Sequence, residues 1–144
     1  MPKQVAGKSL KKNELEINVS EILDFLRFSG HFAFGLRELA IRKIAITEAR
    51  KKGIKVSDKE LQKAADDFRL ENGLCRARET HEWLKANGLT IEVLENFLES
   101  NLLVEKLKDK LEHDTAKEKF HAAPGIKSMV REMIFQEWIS KQMK

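Results

Sequence analysis

Apolar positions recur along the chain at helical spacing, and polar breaks divide them into six blocks. Ile22, Leu23, Phe25, Leu26 and Phe28 fill the first, which predicts a helix over about Ser20–Phe28. Asn18 or Ser20 can cap it by accepting a free backbone N–H. Ser29-Gly30 ends it, because glycine tolerates the left-handed turn that closes helices. The second block, about Phe32–Lys52, carries Leu36, Leu39, Ala40, Ile41, Ile44, Ala45, Ile46 and Ala49. These cover more than one face, so the pattern predicts a central helix packed on several sides. Arg50-Lys51-Lys52 complement the negative end of its dipole, and Gly53 stops it.

After a short extended link, Ile54-Lys55-Val56, the run Ser57-Asp58-Lys59-Glu60 has the form of a capping box. It predicts a third helix through about Leu70, with Leu61, Ala64, Ala65 and Phe68 on one side, ended by Asn72-Gly73. A fourth, about Ala77–Ala86, centres on Trp83 and Leu84 and closes at Asn87-Gly88. Thr90 caps the fifth, from Ile91 to about Leu111, where Leu94, Leu98 and Leu102 form one i,i+4 row. Leu103, Leu107 and Leu111 form another. Residues 112–123 are polar and aperiodic. Pro124 then sits at a helix first turn, where its missing N–H is tolerated. The last helix runs to about Gln142, with Ile126, Val130, Ile134 and Trp138 on one stripe and Met129 and Met133 beside it. Six helices without a strand pattern predict an all-α orthogonal bundle, a single domain over residues 15–144.

Composition fits this picture: 42% hydrophobic and 35% charged residues in 144 is ordinary for one globular domain. Charge changes it more. The formal net charge is +4, from 27 basic and 23 acidic residues, and Lys3, Lys8, Lys11 and Lys12 stand before Asn13 with no acid among them. Without those four lysines the remainder balances at 23 against 23. Residues 1–14 therefore read as a disordered basic tail on a neutral body. A nucleic-acid-binding domain is expected to carry its excess charge on the folded part, so no nucleic-acid partner is expected. The lone Cys75 permits no internal disulfide and suits a reducing compartment. No apolar run approaches the roughly 20 residues of a membrane span, and Met1–Ser20 lacks a signal-peptide apolar core. The expected location is cytoplasmic, without membrane insertion.

Catalytic chemistry finds little support. His81-Glu82 begins like a zinc-protease motif, but Lys85 stands where the second histidine belongs. His113 and His121 lie in the aperiodic stretch, and zinc needs three or four converging ligands, so no metal or other cofactor is expected. Cys75 beside Arg76 and Arg78 has no histidine at a partner spacing, and a buried, unreactive cysteine is the expectation. His81–Leu98 has the outline of a helix-turn-helix. Its second helix opens with Glu92 and Glu95, which repel phosphates, so two packed helices are the preferred reading. Apolar surface remains. Phe25, Phe28, Phe32 and Phe34 crowd one corner across the Ser29-Gly30 break, and the methionines Met129, Met133 and Met143 give adaptable contacts near the end.

Several segments resemble the N-terminal chaperone domain of SurA-like, parvulin-type peptidyl-prolyl isomerases, closest to cyanobacterial members. They are Ser20–Gly30, Ile41–Ala49, Gly53–Leu61, Ala64–Leu70, Trp83-Leu84, Gly88-Leu89-Thr90 and Asn101-Leu102-Leu103. The resemblance covers about Val19–Leu111, and Ile134–Ile139 is similar to the closing helix that such proteins pack back on the N-terminal bundle. In the family an isomerase domain stands between the fifth and last helices; here only Glu112–Ala123 connects them. The resemblance therefore implies a chaperone module without isomerase activity, hence no enzyme. The expected function is an ATP-independent module binding extended apolar polypeptide, with Phe28, Phe32, Phe34, Met129, Met133 and Trp138 as the contact residues. The alternatives are an adaptor or precursor-recognition module in peptide maturation or export, and a homodimer that fills the groove itself.

Overall fold

The structure is a computed structural model, and it describes residues 9–12, 15–115 and 124–144. Among these residues it contains six helices and one two-stranded hairpin. Strand β1 (Ser9–Lys12) pairs antiparallel with β2 (Leu15–Asn18), Leu10 opposite Ile17. The expected structureless start thus contains a strand at its end, which the sequence hides because Ser9–Lys12 lacks apolar alternation. Helices α1 (Val19–Ser29), α2 (His31–Lys51), α3 (Asp58–Glu71), α4 (Ala77–Ala86), α5 (Ile91–Thr115) and α6 (Pro124–Gln142) follow. All six match predicted blocks, and α5 runs one turn beyond Leu111.

The chain divides into two compact units, Met1–Ala40 and Ile41–Lys144, with the break inside α2. In the first unit, Asn18 accepts the Glu21 backbone N–H at 2.9 Å and starts α1. Gly30, at φ 83°, ends it in the left-handed region that only glycine adopts without strain. No residue of α1 is buried.

The second unit holds two apolar clusters. The larger joins Ile41, Ala45 and Ala49 of α2, Leu103, Leu107 and Leu111 of α5, and Phe135 and Ile139 of α6. Ala45 and Ala49, one turn apart and both fully buried, keep the α2 side of this cluster thin. The smaller joins Leu84 to Leu94 and Leu98, flanked by Phe68 and Trp83, whose rings meet edge-on at 5.6 Å. Helix α5 serves both. The step from Leu98 to Leu103 is five residues, which turns the buried stripe by about 140° at 3.6 residues per turn.

Long side chains tie the helices across these clusters. The Arg42 guanidinium lies 4.6 Å from the Phe97 ring centroid and donates to the Phe97 carbonyl at 2.7 Å. Arg131 of α6 reaches Asp109 at 2.8 Å, Glu105 at 3.1 Å and Glu112 at 3.7 Å on α5. Burial works to lower its pKa, but the hydrogen bonds to Asp109 and Glu105 outweigh that and raise it. Lys108 bonds Glu132 at 3.0 Å and lies over the Phe135 ring.

The Ser57 capping box forms as predicted: the Glu60 backbone N–H donates to Ser57 Oγ at 3.1 Å, and the Ser57 N–H donates to Glu60 Oε1 at 2.9 Å. Lys106 of α5 adds a bond to the same carboxylate at 2.7 Å, and Lys106 together with Ser57 holds the Glu60 carboxyl at a pKa of about 2. A carboxyl that titrates near pH 4.3 in the unfolded chain and near 2 in the folded one stabilises above the first value and loses that contribution as pH falls toward the second. Glu60→Gln keeps the capping acceptor and removes the charge. The variant is therefore expected to unfold at slightly lower urea than the parent at pH 7, with the gap closing between about pH 4.3 and 2. A gap independent of pH would show that the ion pair contributes nothing.

Two expectations change here. Helix α2 is packed on several sides only from Ile41 onward; His31–Leu39 are exposed at every position. Cys75, expected to be buried, is exposed in the α3–α4 link, one residue after the buried Leu74. The α6 stripe also shifts. Phe135 and Ile139 are its buried residues, Ile134 and Trp138 flank them half-buried, and the side chain of Ile126 lies outside the described residues.

Candidate peptide-binding surface

In the first unit the phenylalanines face solvent, while Val19, Ile22, Leu23 and Leu26 of α1 are half-buried. Phe28 is 94% exposed, Phe25 67%, Phe34 64% and Phe32 37%. Helical spacing places Phe32, Leu36 and Leu39 on one side of α2, at i, i+4 and i+7, while Phe34 projects from the other. The Arg27 guanidinium sits 5.0 Å from the Phe32 centroid, which holds that ring and accounts for its lower exposure. At the α1–α2 junction Ser29 Oγ donates to the Leu26 carbonyl at 3.2 Å and lies 2.7 Å from His31 Nδ1. The predicted residues Phe28, Phe32 and Phe34 thus share these two helices with Phe25, close along the chain on either side of Gly30.

The other predicted residues belong to the second unit. Met129 and Met133 lie one turn apart on the outer side of α6, 65% and 66% exposed. Trp138 is half-buried, its ring 6.2 Å from that of Phe135 against the larger cluster. Its remaining surface forms one wall of a depression of about 350 Å³ that also includes Ile44 and Thr47. Lys43, Glu48 and Lys51 make the rim polar. Met129 and Met133 are thus open surface, whereas Trp138 divides its surface between core and depression.

Sequence reasoning assigns Leu36 and Leu39 to a core, yet both are exposed, at 60% and 49%. Their i,i+3 spacing is what a core helix shows as well, so periodicity does not separate the two. Val93 and Phe97 of α5 form another exposed pair, one turn apart. The Phe97 ring carries Arg42 on one face.

No family model, curated protein or solved structure matches this chain. Among the described residues no helix is long and apolar enough to cross a membrane, and no three His, Cys, Asp or Glu side chains converge as metal ligands do.

Proposed function

We propose that the chain is a non-enzymatic, ATP-independent module that binds extended apolar segments of other polypeptides. One observation carries this reading: α1 and the first half of α2 present Phe25, Phe28, Phe34, Leu36 and Leu39 to solvent, with no residue of α1 buried. Exposed apolar side chains gathered in two consecutive helices support an interaction surface. Aromatic rings supply large contact areas; on the second unit, Met129 and Met133 present exposed, flexible thioethers of their own. Each client side chain covered contributes about 1.5–3 kcal/mol before ordering costs, so a few contacts give weak, rapidly exchanging complexes. Such exchange needs no nucleotide. The resemblance of several segments to SurA-like chaperone domains supports the same reading.

The test is a fluorescence-anisotropy titration of the full chain against several labelled apolar-aromatic peptides and a labelled DNA duplex, at low and high salt. The expected result is micromolar binding to more than one peptide, little changed by salt. Tight binding to a single peptide would favour a precursor-recognition adaptor. Duplex binding that falls steeply with salt would replace this reading with nucleic-acid recognition.

A further inference from the structure

We propose that the depression between α2 and α6 binds an acid-flanked apolar segment of an extended polypeptide, with an acidic residue two positions to either side of an apolar one. The inference rests on the reading of the chain as a binder of extended polypeptide, and it adds a charge preference at a second place.

The floor of the depression is apolar. Ile44 of α2 and Trp138 of α6 pack against the larger cluster and line the depression with the surface that cluster leaves uncovered. Its volume of about 350 Å³ lies within the range of ligand pockets, about 300–1,000 Å³.

Charge names the occupant. Lys43 and Lys51 line the depression, and among the described residues neither pairs with a carboxylate. The acids nearby have partners of their own. Glu48 pairs with Lys52 at 3.4 Å, and Glu137, beside Trp138 in the chain, pairs with Lys141 at 3.4 Å. Two uncompensated positive charges therefore flank an apolar floor. Carboxylates complement them, whereas a neutral segment leaves both lysines unpaired and a basic one is repelled.

Spacing narrows the occupant to a peptide. Lys43, Thr47 and Lys51 stand at i, i+4 and i+8, so the two lysines are about 12 Å apart along α2. In an extended strand, residues i, i+2 and i+4 share one face, and i to i+4 spans about 13 Å. A segment laid along α2 therefore sets acids at i and i+4 against Lys43 and Lys51. Its i+2 side chain falls between them, over the apolar floor. Thr47 Oγ1 donates to the Lys43 carbonyl at 2.9 Å and keeps acceptor capacity for a main-chain N–H. The Gln142 amide, on the opposite wall, offers both a donor and an acceptor.

The experiment is an anisotropy titration of the full chain with three labelled peptides, blocked at both ends, at low and high salt. They are Glu-Ala-Phe-Ala-Glu, its counterpart Gln-Ala-Phe-Ala-Gln, and the isomer Glu-Glu-Phe-Ala-Ala. Lys43→Glu/Lys51→Glu is run beside the parent. Lys59→Glu/Lys127→Glu, at exposed positions elsewhere, is the control with the same change of net charge. Circular dichroism verifies that each variant keeps its helices. The parent is expected to bind the spaced glutamate peptide roughly three- to thirtyfold tighter than the glutamine one, with the preference shrinking at high salt. Lys43→Glu/Lys51→Glu should reverse the preference, and the control should keep it. Equal binding of the two spaced peptides overturns the inference and leaves the client reading standing. Binding of neither, nor of the apolar-aromatic peptides, removes both. An isomer bound as tightly as the spaced peptide overturns the inference through the spacing. A control that loses the preference as fully as Lys43→Glu/Lys51→Glu assigns it to net charge and overturns it too. Displacement of the peptide by an equal concentration of a free aliphatic dicarboxylate overturns it in favour of a small-molecule site.

Discussion

Replacing Leu107 with alanine is expected to lower the unfolding free energy by about 3–5 kcal/mol, a large part of the 5–15 kcal/mol typical of a domain. Leu107 has no exposed surface and belongs to the cluster that joins α2, α5 and α6. The loss has two parts, the transfer of the removed atoms and the cavity they leave. The cavity term should be near its upper range here. On the α2 side the cluster contains Ala45 and Ala49, whose methyl groups have no rotamers with which to fill a void. Arg131 also pins α6 to α5 through Glu105 and Asp109, which resists collapse from that direction. Urea unfolding followed by circular dichroism measures the effect, with Met129→Ser, at an exposed position, expected within about 0.5 kcal/mol of the parent. A Leu107→Ala cost below about 1 kcal/mol would mean that this cluster does not hold the second unit together.

What the sequence discloses about this protein is mostly local. The Asn18 and Ser57 caps are legible because each is settled by residues three apart. The two leucine rows of α5 are legible because a helix repeats every 3.6 residues whatever surrounds it. Contacts set by distant residues are not. Nothing near Arg131 in the chain indicates Glu105 or Asp109, 26 and 22 positions earlier. The centre of the α6 stripe escapes the pattern because Ile134 and Phe135, and likewise Trp138 and Ile139, are adjacent apolar pairs. Either member of each pair can face a core, and only the neighbouring helix decides. Cys75 follows the same rule, since Leu74 beside it takes the buried place.

The candidate surface shows the limit most clearly. Spacing alone groups Phe28, Phe32 and Phe34 at one corner, and the structure does display them. Leu36 and Leu39 read as core because an apolar helical face has the same period whether its partner is in the same chain or in another. Exposure is a property of the folded chain, and pattern alone does not carry it.

Changing Phe32 and Phe34 together to serine is expected to weaken client binding roughly 30- to 150-fold, or about 2–3 kcal/mol, while leaving the helical spectrum intact. The two rings project from different sides of α2, so the double variant strips both, and a client cannot recover the loss by shifting around the helix. Stability should change little, because neither side chain is buried. Within the chain the variant gives up the stacking of Arg27 on the Phe32 ring, about 0.5–1 kcal/mol at an exposed site. That separates binding from folding, which a core substitution cannot do. Anisotropy titrations with the same labelled peptides measure the first quantity, and circular dichroism with urea unfolding measures the second. Phe32→Leu/Phe34→Leu adds a graded control: it keeps apolar area and removes the aromatic face, so its binding should fall between parent and serine variant. Unchanged peptide binding by the serine variant would remove this corner as the client site and leave Met129, Met133 and the depression beside Trp138 as the remaining surface to test.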